Sequence, residues 1–133
     1  MFLPENTDKN ATYTVASINL DTSAYRHYKI NFNFACSIAT VNARMHLRFQ
    51  LFKQEKYQLN LVPVSSSFAF TRNEDSNETN VFTLTACDFD SMESRCCNYR
   101  VNIEIMGFDT VGTIMITNPI LIAYIIETDN EIV

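Results

Sequence analysis

Tryptophan is absent from this 133-residue chain, glycine and histidine occur twice each, and proline occurs three times. Each scarcity excludes something. Without Trp there is no Cys…Trp…Cys core of the immunoglobulin kind, and a sugar-stacking platform loses its usual ring. Gly107 and Gly112 stand alone, so no glycine-rich phosphate loop is present. Asn, Asp and Ser must then supply most turn positions with unusual φ. His27 and His46 sit apart, each reading as a solvent-facing residue, and cannot build the histidine-carboxylate cluster of a metal-binding cupin. Ser65-Ser66-Ser67 reads as a strand edge or bend, and no serine has a nucleophile-elbow context. Ten basic residues against fifteen acidic ones give a net charge of -5, with no basic stripe for nucleic acid. The longest apolar run, Ile120 to Ile126, is too short to span a bilayer. The opening residues lack the basic and apolar stretches of a classical secretory signal.

What is present is alternation. Tyr28, Ile30, Phe32, Phe34, Cys36 and Ile38 share one face, against Lys29, Asn31, Asn33, Ala35 and Ser37. Met45, Leu47, Phe49 and Leu51 alternate likewise with Arg44, His46, Arg48 and Gln50. Further strands are expected at Thr12–Leu20, Leu59–Val64, Ser66–Thr71, Asn80–Cys87, Asn98–Met106, Gly112–Thr117 and Ile120–Glu127. Connections fall at Asp21-Thr22-Ser23, Arg72–Asn77 and Thr117-Asn118-Pro119. Eight or nine short strands, each with one apolar face, are satisfied by two antiparallel sheets packed face to face. The expected fold is an all-β, jelly-roll-like sandwich over residues 12–127. Residues 1–11 read as a flexible arm and residues 128–133 as an acidic tail. These ends either fray, or dock their apolar tips (Phe2, Leu3, Ile132 and Val133) on a neighbouring subunit.

Three of the four cysteines cluster between Cys87 and Tyr99. Adjacent residues on an extended chain point to opposite faces, so Cys96 and Cys97 cannot both pair with Cys87. Either one of them closes the loop with Cys87, leaving the other for Cys36, for another molecule or for nothing, or all the thiols stay reduced. Cys36 continues an apolar face and reads as a small buried hydrophobe. Asp88, Asp90 and Glu93 form a solvated acidic loop; it lacks the glycine and spacing of a helical calcium loop. Zinc through the three cysteines is disfavoured, because adjacent thiolates chelate poorly and no histidine lies nearby. Asn10-Ala11-Thr12 and Asn77-Glu78-Thr79 match the glycosylation acceptor pattern, which arises readily by chance.

Several segments resemble a family of small uncharacterised β-proteins found mainly in spore-forming clostridia. They are Tyr13 to Thr22, Lys29 to Phe34, Leu47 to Lys53, Ser67 to Arg72 and Cys96-Cys97-Asn98-Tyr99. The most specific are the Phe49-Gln50-Leu51-Phe52-Lys53 strand and the Cys-Cys-x-Tyr sequence. Members usually carry a further cysteine where this chain has Phe89. In size, strand pattern and cysteine use the family is similar to the jelly-roll subunits of endospore appendages, which polymerise through N-terminal connectors. That likeness implies a structural, non-enzymatic subunit with no cofactor, whose partners are copies of itself, at an extracellular or spore surface. The alternative is a monomeric module that binds a sugar or surface ligand on one sheet face, using Tyr25, Tyr28, Tyr57 and Tyr99.

Overall fold

A computed structural model describes residues 1–3, 10–55, 59–89, 96–107 and 110–128, with the Cys96 side chain outside that description. Among them the extended secondary structure is strand, with no α-helix. The strands are β1 (Ala11–Asp21), β2 (Tyr28–Glu55), β3 (Val62–Pro63), β4 (Phe68–Ser76), β5 (Thr79–Phe89), β6 (Cys96–Ile105) and β7 (Val111–Glu127). Every pairing is antiparallel, and all seven strands belong to one connected sheet.

Seven strands replace the eight or nine expected because two expected breaks are not breaks. The two alternating segments on either side of residue 41 form a single strand, β2, of 28 residues. Drawn straight, such a strand would run for about 90 Å. Instead Phe34 and Phe49, fifteen residues apart, have ring centroids 6.1 Å from each other. β2 therefore folds back on itself, and its two halves face one another across the core, giving a sandwich-like outline. The bend lies at residues 41–44, where Asn42 takes φ 48° and the register slips against both β4 and β7. Asn is among the few side chains that tolerate this left-handed backbone. The inward-facing positions switch from even numbers before the bend to odd numbers after it, so one inserted residue keeps the apolar face inside on both halves.

The second merger is at Thr117-Asn118-Pro119, expected as a turn. Ser37 pairs with Thr117 and Ala35 with Ile120, so Asn118 and Pro119 bulge out opposite one residue of β2. Asn118 has φ 53°, and Pro119 needs no ladder donor at a bulge. The expected strand Leu59–Val64 shrinks to two residues for a related reason: Pro63 cannot donate, and Leu59 is exposed. Residues Arg72 to Ser76, expected as a connection, continue β4 beside β2.

The first half of β2 is flanked by β5 and β7; the second half lies between β4 with β3 and β6, with β1 beyond β6. Phe32, Phe34, Phe49, Leu51, Val101 and Ile103 fill the space between, and Phe82 of β5 stacks on Phe49 at 4.1 Å. Thus β4 and β5 follow β2 around its bend as one antiparallel ribbon. Their connection is tied to the bend by Asn42 N–H donating to Asn77 Oδ1 (2.9 Å) and Ser76 Oγ donating to the Ala43 carbonyl (2.9 Å). β7 crosses the same point at Gly112, φ 93°, where a Cβ would lie 2.3 Å from the Asn42 carbonyl oxygen. Only glycine fits there.

Gly112→Ala is expected to lower unfolding stability by at least about 2 kcal/mol, through both φ strain and backbone contact. Asn42→Gly, which keeps the left-handed backbone accessible, should change it by less than about 1 kcal/mol. Urea titration of the two variants checks the pair.

Candidate functional site: the outer face of β5, β2 and β7

Because side chains alternate, β2 shows a different outer face on each half. On the second half Arg44, His46, Arg48 and Gln50 point outward, beside Arg100, Asn102 and Glu104 of β6. Most charges there are paired: Arg44 with Asp75 at 3.2 Å, Arg48 with Glu104 at 4.0 Å, and Arg72 hydrogen-bonded to Glu78, while Arg100 donates to the neutral Gln54 and Asn98. His46 lines a hollow of about 210 Å³ with Arg44 and Arg72. Among the described residues no three His, Cys, Asp or Glu side chains converge as a metal site.

The first half is different. Its outer face is built in rows of three, one residue from each strand: Phe89, Lys29, Ile126; Cys87, Asn31, Tyr124; Thr85, Asn33, Ile122; and Thr83, Ala35, Ile120. The β7 column is a ridge of large apolar side chains, with Ile120 and Tyr124 half exposed. The middle column is short and mostly polar, so a groove runs along β2. Its apolar half, about 400 Å³, is lined by Asn33, Ala35, Thr83, Thr85, Ile120 and Ile122. The adjoining half, about 460 Å³, reaches Asn31, Cys87 and Tyr124. The sequence carried a signal for this surface. In Ile120-Leu121-Ile122-Ala123-Tyr124-Ile125-Ile126 both parities are apolar, so whichever face turns inward, the other is left apolar in solvent.

The tyrosines proposed for a binding face are placed elsewhere. Tyr28 and Tyr99 are buried, and Tyr25 packs edge-on to Tyr28 at 6.3 Å. Tyr57 lies outside the described residues. Tyr124 is the tyrosine on the groove.

The cysteine segment divides between two sides of the sheet. Cys87 faces outward on β5 and is exposed, whereas Cys97 packs against the core from β6 and Cys36 is buried within it. None of these three is in a disulfide. Cys87 and Cys97 point away from each other across the β5 layer, which opposes a bridge between them. The Cys96 side chain, Ile132, Val133, Asp90 and Glu93 lie outside the described residues.

Asp88 corrects the reading of a solvated acidic loop. It belongs to β5, points inward, and its Oδ2 accepts from Tyr99 Oη at 2.7 Å and from Lys53 Nζ at 3.1 Å. Glu55 stands 3.8 Å from the same ammonium. This cluster ties β5 to β2 and β6 across the core rim. Burial and the Asp88 carboxylate push the Tyr99 hydroxyl well above its ordinary range. Burial pulls the Lys53 ammonium down, but Asp88, Glu55 and Cys97 more than offset this and leave it raised. Burial alone pushes the Cys36 thiol up from 9.0 to about 11.

Phe2 and Leu3 are also placed. Leu3 N–H donates to the Ile114 carbonyl (2.9 Å), Ile116 N–H to the Met1 carbonyl (2.8 Å), and the Met1 nitrogen to the Ile116 carbonyl (2.8 Å). Residues 1–3 thus lie as a short strand on the edge of β7, with Leu3 buried in the core and Phe2 exposed.

The family described as Domain of unknown function (DUF4489) matches residues 2–126. The chain belongs to that family. No curated protein and no solved structure matches it. The DUF4489 match takes in Phe2, Leu3, the bend of β2 and the groove rows up to Ile126, so every feature above except Met1 and Glu127 falls within the family domain.

Two measurements follow. In native protein, mass-mapped alkylation should modify Cys87 before Cys97, and Cys36 only on unfolding. Tyr99, Lys53 and Cys36 all have folded pKa values above their unfolded ones, so the folded state keeps protons that the unfolded state loses in alkali. Their stabilisation is complete below the unfolded values of 9.0 to 10.5 and is lost as pH rises beyond them. Urea midpoints should therefore hold level to about pH 9 and fall above it, less steeply in Tyr99→Phe.

Proposed function

We propose that this protein is a structural, self-assembling subunit of an extracellular or spore-surface fibre or coat, built by strand pairing and terminal-arm contacts and with no enzymatic role. The observation that carries the reading is the seat of residues 1–3 on β7. A three-residue strand, making three main-chain hydrogen bonds and burying one leucine, is a small and exchangeable contact. The same seat can take the tripeptide of a neighbouring copy in place of the chain's own, and a head-to-tail exchange that does not close grows an open filament. Edges add support: among the described residues β1, β4 and β5 each pair on one side only, and β7 pairs beyond β2 only where residues 1–3 sit. The folded-over sheet fits the two-sheet, jelly-roll-like sandwich of such subunits. The spore-surface setting and the likeness to endospore appendage subunits rest on the sequence resemblance alone.

A second reading, a non-enzymatic binding module, is favoured by the groove beside Tyr124, whose polar floor of Asn31 and Asn33 suits a sugar or surface ligand.

Negative-stain microscopy of the purified chain separates the two. Filaments or sheets are expected, and their loss in Leu3→Asp, with circular dichroism unchanged, would tie them to the arm. Monodisperse particles across pH and concentration would reject assembly, and binding on a glycan array by such particles would establish the module.

A further inference from the structure

We infer that the outer face of β5, β2 and β7 is a self-complementary interface, on which a second copy of this chain packs ridge into groove. The inference rests on the assembly reading and names a surface that reading leaves open. Three observations favour a copy over other occupants.

The first is electrostatic. The chain carries a net charge of -5, yet the four rows contain one charged side chain, Lys29, at the end row between Phe89 and Ile126. Copies that repel elsewhere meet here across three uncharged rows, with like charge confined to the end row where Lys29 lies, and interface centres are depleted of charge. A face without a basic rim on an acidic chain is a poor match for an anionic membrane.

The second is shape. The ridge of Ile120, Ile122 and Tyr124 lies on one side of the groove, and the small Thr83, Thr85 and Cys87 lie on the other. A two-fold axis running along the strands, in the plane between two such faces, exchanges the two sides. It sets the ridge of each copy over the small column and groove of its partner. An axis across the strands would set ridge on ridge and leave both grooves empty. In the favoured arrangement Ile122 of each copy faces the partner's Thr85, because both lie in the row of Asn33.

The third is size. Four rows on three strands, extended by the exposed Val81 at one end, form a patch approaching the ~800 Å² per partner of a standard interface. That extent exceeds what a small glycan covers.

Sedimentation equilibrium on the full chain, at concentrations below those giving filaments, tests this. The wild type should be a dimer. Ile122→Asp should weaken it by at least about 30-fold, and Tyr124→Ser by about tenfold. Ser17→Asp, on exposed β1, should leave it unchanged. Circular dichroism and melting of each variant exclude unfolding. A monomeric wild type, or dimers indifferent to both face substitutions, would overturn the inference; so would filaments that form as readily from Ile122→Asp as from the wild type. A face-dependent dimer that never forms filaments would uphold the inference while rejecting the fibre reading.

Discussion

The fold depends on one close contact, that of Gly112 with the backbone of Asn42 and Ala43 where β2 doubles back. A 28-residue strand cannot lie inside a domain of this size unless it bends, and a bend exposes main-chain groups that the ladders can no longer satisfy. Here they are covered from two sides. The Ser76 and Asn77 side chains bond the bend from the β4–β5 connection, and β7 crosses close because Gly112 carries no Cβ. Once that corner is set, the pairing of every other strand except β1 follows from which half of β2 it meets, and β1 follows β6.

The same corner explains why the two outer faces differ. The bend inserts one residue, so the inward face stays apolar on both halves while the outward residues change from Lys29, Asn31, Asn33 and Ala35 to Arg44, His46, Arg48 and Gln50. Charge is thereby concentrated on one half, where Arg44, Arg72 and Arg48 are paired with Asp75, Glu78 and Glu104. The other half has a nearly neutral floor beside the Ile120 to Ile126 ridge. The proposed interface uses the second face, which carries a single charge, Lys29, beside its apolar ridge.

Much of this was legible in the residues. The all-β class followed from alternation, and the buried positions of β2 fall where Tyr28 to Ile38 and Met45 to Leu51 placed them. The parity switch between those segments was also visible. Sequence alone does not separate a loop from a bulged bend there, because both shift parity and Asn42 suits either. Asn118-Pro119 misled in the same way, since the residues that make a turn also make a bulge. Asp88 escaped because an acidic residue beside a cysteine cluster reads as loop. Its inward turn depends on Lys53 and Tyr99, 35 and 11 residues away, which no local pattern connects. The seat of Leu3 is longer-ranged still, and the apolar Phe2-Leu3 tip carries no mark of which strand edge it will meet.

Asp88 also bears on how the two halves stay together. At the bend they are joined by the chain itself. Away from it, nothing covalent among the described residues links β5 to the second half of β2, so closure there rests on packing and on the Asp88 cluster. Asp88 on β5 engages Lys53 on β2 and Tyr99 on β6, and Tyr99 in turn packs on Phe32, with ring centroids 4.6 Å apart. A carboxylate accepting two such bonds at a core rim is costly to leave unpaired, so the cluster opposes opening more than a surface ion pair would. Cys97 lies in the same cluster on the inner side, whereas Cys87, one residue before Asp88, faces the groove. The alternation that aims Asp88 at the core is what aims Cys87 away from it. Any covalent bond made by Cys87 without rearranging β5 must therefore be made outside the core, on the face where the ridge and groove lie.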